Sequence, residues 1–136
     1  MTPPQFQQRY KLPRKQILRS QKAITVLFQP GFFVSSYPLR MNYLIQSKTN
    51  EAPAVQVMFS VSKKRFKKAT DRNRVNRLLR EVYRLNQHQL QGLSLPEDQQ
   101  LAMALIYTGQ EILSFQVLKA SFLQCIQKLE RKMNHA

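Results

Sequence analysis

Between Lys63 and Arg84 the chain reads KKRFKKATDRNRVNRLLREVYR and carries ten of its 22 basic residues: Lys63, Lys64, Arg65, Lys67, Lys68, Arg72, Arg74, Arg77, Arg80 and Arg84. Only Asp71 and Glu81 oppose them. At about 100° per residue, Val75, Leu78, Leu79, Val82 and Leu85 share one arc of a helix, while Arg72, Asn73, Asn76, Arg77, Arg80 and Arg84 share the other. A guanidinium grips two phosphate oxygens in one plane and stacks on flat rings, which an ammonium does not do. A merely solvated helix face mixes signs at i,i+4 spacing, whereas Arg74, Arg77, Arg80 and Arg84 recur here with little acid between them. The chemistry on offer is recognition of a polyanion.

Bond cleavage is a different matter, and the sequence lacks its tools. Gly31, Gly92 and Gly109 are too scattered to form a phosphate-cradling loop. His88 and His135 pair with no carboxylate as a general base and lie too far apart to suggest a metal cluster; each is expected at the surface. Seven dispersed carboxylates suggest no cage for Mg²⁺. Cys125 is the single cysteine, so no internal disulfide and no Cys-rich zinc site can form, and its apolar helical context predicts a core position. The sequence therefore predicts no catalytic residue and no metal ligand of its own.

The cations need elements to position them. Ser20 is read as the N-cap of a short helix to about Gln29, with Ala23, Ile24, Leu27 and Phe28 on one face and Pro30-Gly31 as its stop. Phe32 to Ser36 and Leu39 to Ser47 read as strands, followed by a turn from Lys48 to Pro53. Val55, Val57, Phe59 and Val61 alternate with polar neighbours, as in a strand with one buried face. Thr70 or Asp71 would cap the basic helix, leaving Lys63 to Lys68 in the loop before it. Gln87 to Gln100 reads as a polar connector, Leu101 to Tyr107 as a strand covered on both sides, and Ser114 as the cap of a final helix. In that helix Phe115, Leu118, Phe122, Cys125 or Ile126, Leu129 and Met133 form a core stripe. The order α-β-β-β-α-β-α predicts an α/β sandwich: a single domain with a mixed central sheet of about four strands and helices packed on it.

With 136 residues, 43% of them hydrophobic, the chain suits one core. Residues 1–19 form a basic, extended arm in this reading, with Arg9, Lys11, Arg14, Lys15 and Arg19, no acid, and prolines at 3, 4 and 13; a solubilising tail is its alternative. Residues 20–136 are then a single nucleic-acid-binding domain. A net charge of +15 calls for a polyanionic partner, and five Tyr and eight Phe favour nucleic acid over lipid, because bases stack on rings. No apolar run is long enough to span a bilayer, and the start MTPPQFQQRYKLPRK lacks the apolar core of a secretory signal, so a cytoplasmic location is expected.

The run Ser60 to Lys64 (SVSKK) followed by Asp71-Arg72-Asn73-Arg74-Val75-Asn76-Arg77-Leu78-Leu79-Arg80-Glu81 resembles the hallmark of the bacterial ribonuclease P protein component. The LPRK start, the short helix ending in Phe28 before Pro-Gly, the apolar strand and the last amphipathic helix also fit, over about Leu12 to Lys132. Asn76 departs from the usual Lys, and Ile24 from an aromatic found in some members. The resemblance implies a left-handed crossover about the Arg-Asn-Arg helix, where right-handedness is the general rule. It implies a protein that binds a catalytic RNA subunit and precursor tRNA, with no membrane and no protein partner. The RNA would cut the 5′ leader from the precursor with Mg²⁺ held mainly by RNA, as in two-metal displacement. Lys63, Lys64, Arg65, Lys67, Lys68, Arg72, Asn73, Arg74, Arg77 and Arg80 would face the catalytic RNA; Ile24, Phe28, Tyr43, Ser60 and Ser62 would line the leader groove.

Three other classes share part of this pattern. A structural RNA-binding protein of ribosomal type has the same size and charge, a DNA-binding module would lay the Arg helix in a major groove, and a nuclease in its own right would need a catalytic constellation. Stimulation of a ribonuclease P RNA separates the first, and preference for duplex DNA in salt titrations the second.

Overall fold

A computed structural model describes residues 12, 14–29, 31–48, 52–93 and 95–134. Three α-helices pack on one four-stranded sheet: α1 (Gln21–Leu27), β1 (Phe33–Ser36), β2 (Leu39–Ser47), β3 (Val55–Val61), α2 (Ala69–Asn86), β4 (Gln99–Tyr107) and α3 (Phe115–Asn134). The sheet runs β1-β2-β4-β3, antiparallel except for the β3/β4 pair, which α2 connects. The α/β sandwich and its element order are as the sequence predicts. Among the described residues no helix is long and apolar enough to cross a membrane.

Side chains alternate across a strand, and here the parity splits the molecule in two. Leu39, Met41, Val57, Leu101, Met103, Leu105 and Tyr107 face the major core with α2 and α3, where Val75, Leu79, Val82, Tyr83, Phe122 and Leu129 are all buried. Ala102, Ala104, Leu44, Met58 and Ile106 face the other way, under Ala23, Ile24 and Leu27 of α1. Two alanines at the centre of this second face let a short helix lie close to the sheet. Tyr83 bridges the layers of the major core, its ring 5.9 Å from Phe59 and 6.0 Å from Phe122. Cys125 lies in the same core, where burial pushes its thiol up to about 11.

Several boundaries differ from the sequence reading. Lys68, not Thr70 or Asp71, takes the N-cap position of α2, without a side-chain cap bond. Asp71 lies in the first turn, where a carboxylate still offsets the positive helix end. What holds the chain there is Arg72, whose Nη1 donates to the carbonyls of Phe66 and Lys67, both at 2.9 Å. The connector after α2 contains a 3₁₀ turn, Gln87–Gly92, because Leu90 is buried in the core. His88, on that turn, is half-buried and its Nε2 lies 3.2 Å from Gln89 Nε2. Leu85, expected on the core arc, instead borders a surface pocket with Phe115 and Leu123, and Tyr83 takes the core position.

Most of the expected N-terminal arm, with His135, lies outside the described residues. Its last part belongs to the domain: Arg14–Gln16 form a 3₁₀ turn, Ile17 bridges to Val57 in parallel, and the Leu18 amide donates to the Val57 carbonyl at 2.8 Å. The Leu18 amide thus satisfies a carbonyl on the open edge of β3, while its side chain is buried with Ala23 and Leu27. The two other expected caps are present: Ser20 Oγ accepts from the Ala23 amide at 3.3 Å and Ser114 Oγ from the Val117 amide at 3.3 Å.

Tyr107 closes the turn between β4 and α3. Its hydroxyl donates to the Glu111 carbonyl at 2.6 Å and accepts from the Leu113 amide at 3.0 Å, so one oxygen serves two loop groups. Gly109 lies against it, and a Cβ there would meet the Tyr107 ring at 2.9 Å. Tyr107→Phe keeps the ring and removes both bonds. It is expected to lower unfolding free energy by about 1–2 kcal/mol, measured by chemical denaturation.

Candidate nucleic-acid interface

The exposed arc of α2 presents Asn73, Arg74, Arg77 and Arg80. Amphipathicity puts them there: Val75, Leu79 and Val82 are fully buried, so positions one to two residues away must face out. Arg80 spreads over the Phe59 ring at 5.4 Å, and its stem covers an edge of the core. One turn further on, Arg84 Nη2 donates to Glu81 Oε2 at 2.8 Å. That bond holds the Glu81 carboxyl below its usual range and partly neutralises Arg84, so the uncompensated arc ends at Arg80.

Lys63, Lys64, Arg65, Lys67 and Lys68 are all exposed on the segment between β3 and α2. Phe66 anchors it from inside, buried with its ring 5.8 Å from Tyr107. Arg72 ties the segment to α2 from outside, so this residue of the expected RNA surface also organises the loop that displays the lysines. Ser62 Oγ accepts from the Lys64 amide at 3.1 Å, which fixes the turn out of β3.

The α1 side of the sheet forms the second surface. Ser35, Arg40, Ile106 and Ser60 make one cross-strand row, and Phe33, Asn42, Ala104 and Met58 the next. Ile24 is half-buried against this face, while Phe28, at the C-terminal end of α1, is 47% exposed. A plain core role for Phe28 is thereby removed. Tyr43 does not join this surface. Its odd position on β2 sends it to the opposite face, where it is 9% exposed, packs 5.7 Å from Phe32, and has its phenol raised by burial. The residue of β2 that does face α1 is Asn42, whose Nδ2 donates to the Leu27 carbonyl at 2.8 Å.

A protein-family model described as Ribonuclease P matches residues 12–134. The chain belongs to that family. It is 33% identical over 118 residues to the ribonuclease P protein component of Porphyromonas gingivalis, covering 87% of this chain and 82% of the relative. To that of Chlorobium phaeobacteroides it is 34% identical over 117 residues, covering 79% and 80%. Among solved structures, the RNase P protein of Thermotoga maritima superposes with a TM-score of 0.60 at 18% identity, over 82% of this chain and 96% of that one. The Staphylococcus aureus RNase P protein gives 0.63 at 14% identity, over 85% and 95%. At such identities the structures speak for the fold alone.

Within a ribonuclease P protein the two surfaces are set by different elements. The sheet separates α2 from α1, and the chain passes from β3, which carries Ser60, through Ser62 and the Lys63–Arg65 turn into α2. Ile24 and Ser60 lie on the α1 side, Phe28 stands exposed at the end of α1 nearest β2, Ser62 follows the end of β3, and Tyr43 is on the opposite face. Sequence reading missed Arg40 and Asn42. The signal was present: Leu39, Met41, Tyr43 and Ile45 alternate with Arg40, Asn42, Leu44 and Gln46, and the apolar parity is the one that must face the larger core.

Proposed function

We propose that the chain is the protein subunit of ribonuclease P, binding the catalytic RNA through α2 and the lysine-rich turn, and the 5′ leader of precursor tRNA through the α1 side of the sheet. What supports this, given the family, is that one continuous stretch of chain leads from β3, paired with β4, through the turn that Ser62 Oγ and the Lys64 amide fix, into the basic helix α2. Two RNAs repel each other, and cations placed between them lower that cost and its salt dependence. Only the precursor has a leader, so a leader contact favours substrate over product. Asn73, Arg74, Arg77 and Arg80 would grip the catalytic RNA with Lys63, Lys64, Arg65, Lys67 and Lys68, and Arg72 would hold that loop in place. Ile24, Phe28, Ser60 and Ser62 would receive the leader.

The hydrolytic step in this reading belongs to the RNA subunit. Mg²⁺ in this reading is held mainly by RNA phosphates, whose hard oxygens suit it. Bound there, Mg²⁺ would activate water and stabilise the leaving oxygen. Processing of tRNA by this assembly is consistent with a cytoplasmic location.

Adding the purified protein to a bacterial ribonuclease P RNA and precursor tRNA at low Mg²⁺ is expected to stimulate cleavage at the mature 5′ end. The protein alone is expected to leave the precursor intact. Binding of both RNAs without stimulation would instead indicate a structural RNA-binding protein, and Mg²⁺-dependent cleavage by RNA-free protein would overturn the division of labour.

A further inference from the structure

Arg40 stands on the α1 side of the sheet, in the row with Ser35, Ile106 and Ser60, and has been assigned no RNA contact above. Its guanidinium carbon lies 4.0 Å from the centroid of the Phe33 ring, and its Nε donates to Asn42 Oδ1 at 2.9 Å. Asn42 is buried and pinned in turn to the Leu27 carbonyl, the residue before Phe28. A ring beneath one face and a bond at Nε fix the guanidinium plane and leave its terminal amino groups for another partner. No carboxylate supplies one: among the described residues the ion pair is Arg84 with Glu81, on the other side of the sheet. The cost of ordering a long cation has been met in advance without a protein anion to justify it.

The surroundings are cationic and extended. Lys132 Nζ donates to the Phe33 carbonyl at 2.8 Å and sits 5.8 Å from the same ring, and Lys128 Nζ donates to the Ser35 carbonyl at 2.6 Å. Together with Arg131 they border an open pocket of about 400 Å³ against β1. The two lysine bonds have a structural purpose of their own, since they occupy outward carbonyls of an edge strand. Arg40 occupies no such carbonyl, and cations that reach the Phe33 ring both from β2 and from α3 around the β1 edge suit a chain of phosphates better than a single small anion.

We propose that Arg40, held on Phe33 and Asn42, is a phosphate anchor for single-stranded RNA, and that it carries the leader from Phe28 toward the β1 edge, where Lys132 continues the path. This rests on the leader reading of the α1 side and extends it to a further nucleotide contact. The ligand is a phosphodiester strand, held by charge and a fixed fork, with no base readout by Arg40.

The test uses reconstituted holoenzyme and precursor tRNAs with leaders of about 2 to 16 nucleotides, a range spanning the footprints of small single-strand binders, with mature tRNA as control. Arg40→Met keeps an apolar stem over Phe33 and removes the charge; Arg40→Gln, which can still bond Asn42, repeats the test should the Met variant fold poorly. Either is expected to weaken long-leader precursors about fivefold near 0.1 M salt and to lower the salt slope by about 0.7, one single-strand phosphate. Short-leader precursors and mature tRNA should bind as before. If Phe28→Ala weakens precursors selectively while the Arg40 variants leave leader-length dependence and salt slope unchanged, the anchor is wrong and the groove stands. Equal losses on mature tRNA also refute the anchor. If neither position affects any precursor, the leader reading fails and this inference with it.

Discussion

Replacing Arg74, Arg77 and Arg80 together with alanine is expected to weaken binding of the catalytic RNA by about two orders of magnitude near 0.1 M salt. Each phosphate contact releases roughly 0.9 of a counterion, so three lost contacts should flatten the dependence of log affinity on log salt by about 2.7. The placement of these side chains makes the effect specific. All three are exposed, whereas the core arc of α2 is carried by Val75, Leu79, Val82 and Tyr83, which the substitutions leave alone. Alanine also has the higher helix propensity. Only the stem of Arg80 over Phe59 is lost from packing, so the melting transition should shift little. Filter binding or calorimetry at several salt concentrations, with a thermal melt beside it, decides the matter. An unchanged salt slope would take α2 out of the interface, and a collapsed melt would make these arginines structural.

Arg72→Ala is a different experiment within the same motif. Its Nη1 holds the Phe66 and Lys67 carbonyls, so its loss should loosen the loop and disturb the whole lysine cluster. Nothing in the spacing of Arg72, Asn73 and Arg74 distinguishes the arginine that turns back from the one that faces out. Helical phase puts Arg72 with the polar residues, and that much is true; the partner it finds depends on where the preceding loop folds, which is a tertiary fact.

The same boundary between local and tertiary runs through the rest of the molecule. Element order and most caps were legible, because Ser20, Ser114 and the apolar period of α3 act over three or four residues. The cap of α2 was not: Thr70 and Asp71 are good capping residues, but the loop entering from Phe66 starts the helix two or three residues earlier, at Lys68. Tyr43 fell on the wrong face for a related reason. An aromatic in a strand carries no label for its side, and only the parity shared with Leu39 and Met41, set by the larger core, assigns it. Arg40 escaped attention because one cation in a strand looks like an edge charge until Phe33 and Asn42 are seen to hold it.

Phe28→Ala should separate a leader-binding protein from a merely basic one. Exposed at the end of α1, Phe28 contributes little to the core, which rests on Ala23 and Leu27. The variant should therefore melt close to the parent, whereas truncating a buried Phe such as Phe122 would cost about 3–5 kcal/mol. If the exposed ring stacks on a leader base, precursor tRNA should bind the holoenzyme more weakly by about 1–3 kcal/mol. Mature tRNA, which has no leader, should bind almost unchanged. A charge-only surface cannot produce that asymmetry, because phosphates are present on both RNAs and losing a neutral ring alters neither field. The salt slope for precursor should likewise stay where it was, in contrast to the arginine variants. Equal losses on precursor and mature tRNA would move Phe28 out of the groove, and a large drop in melting temperature would return it to the core.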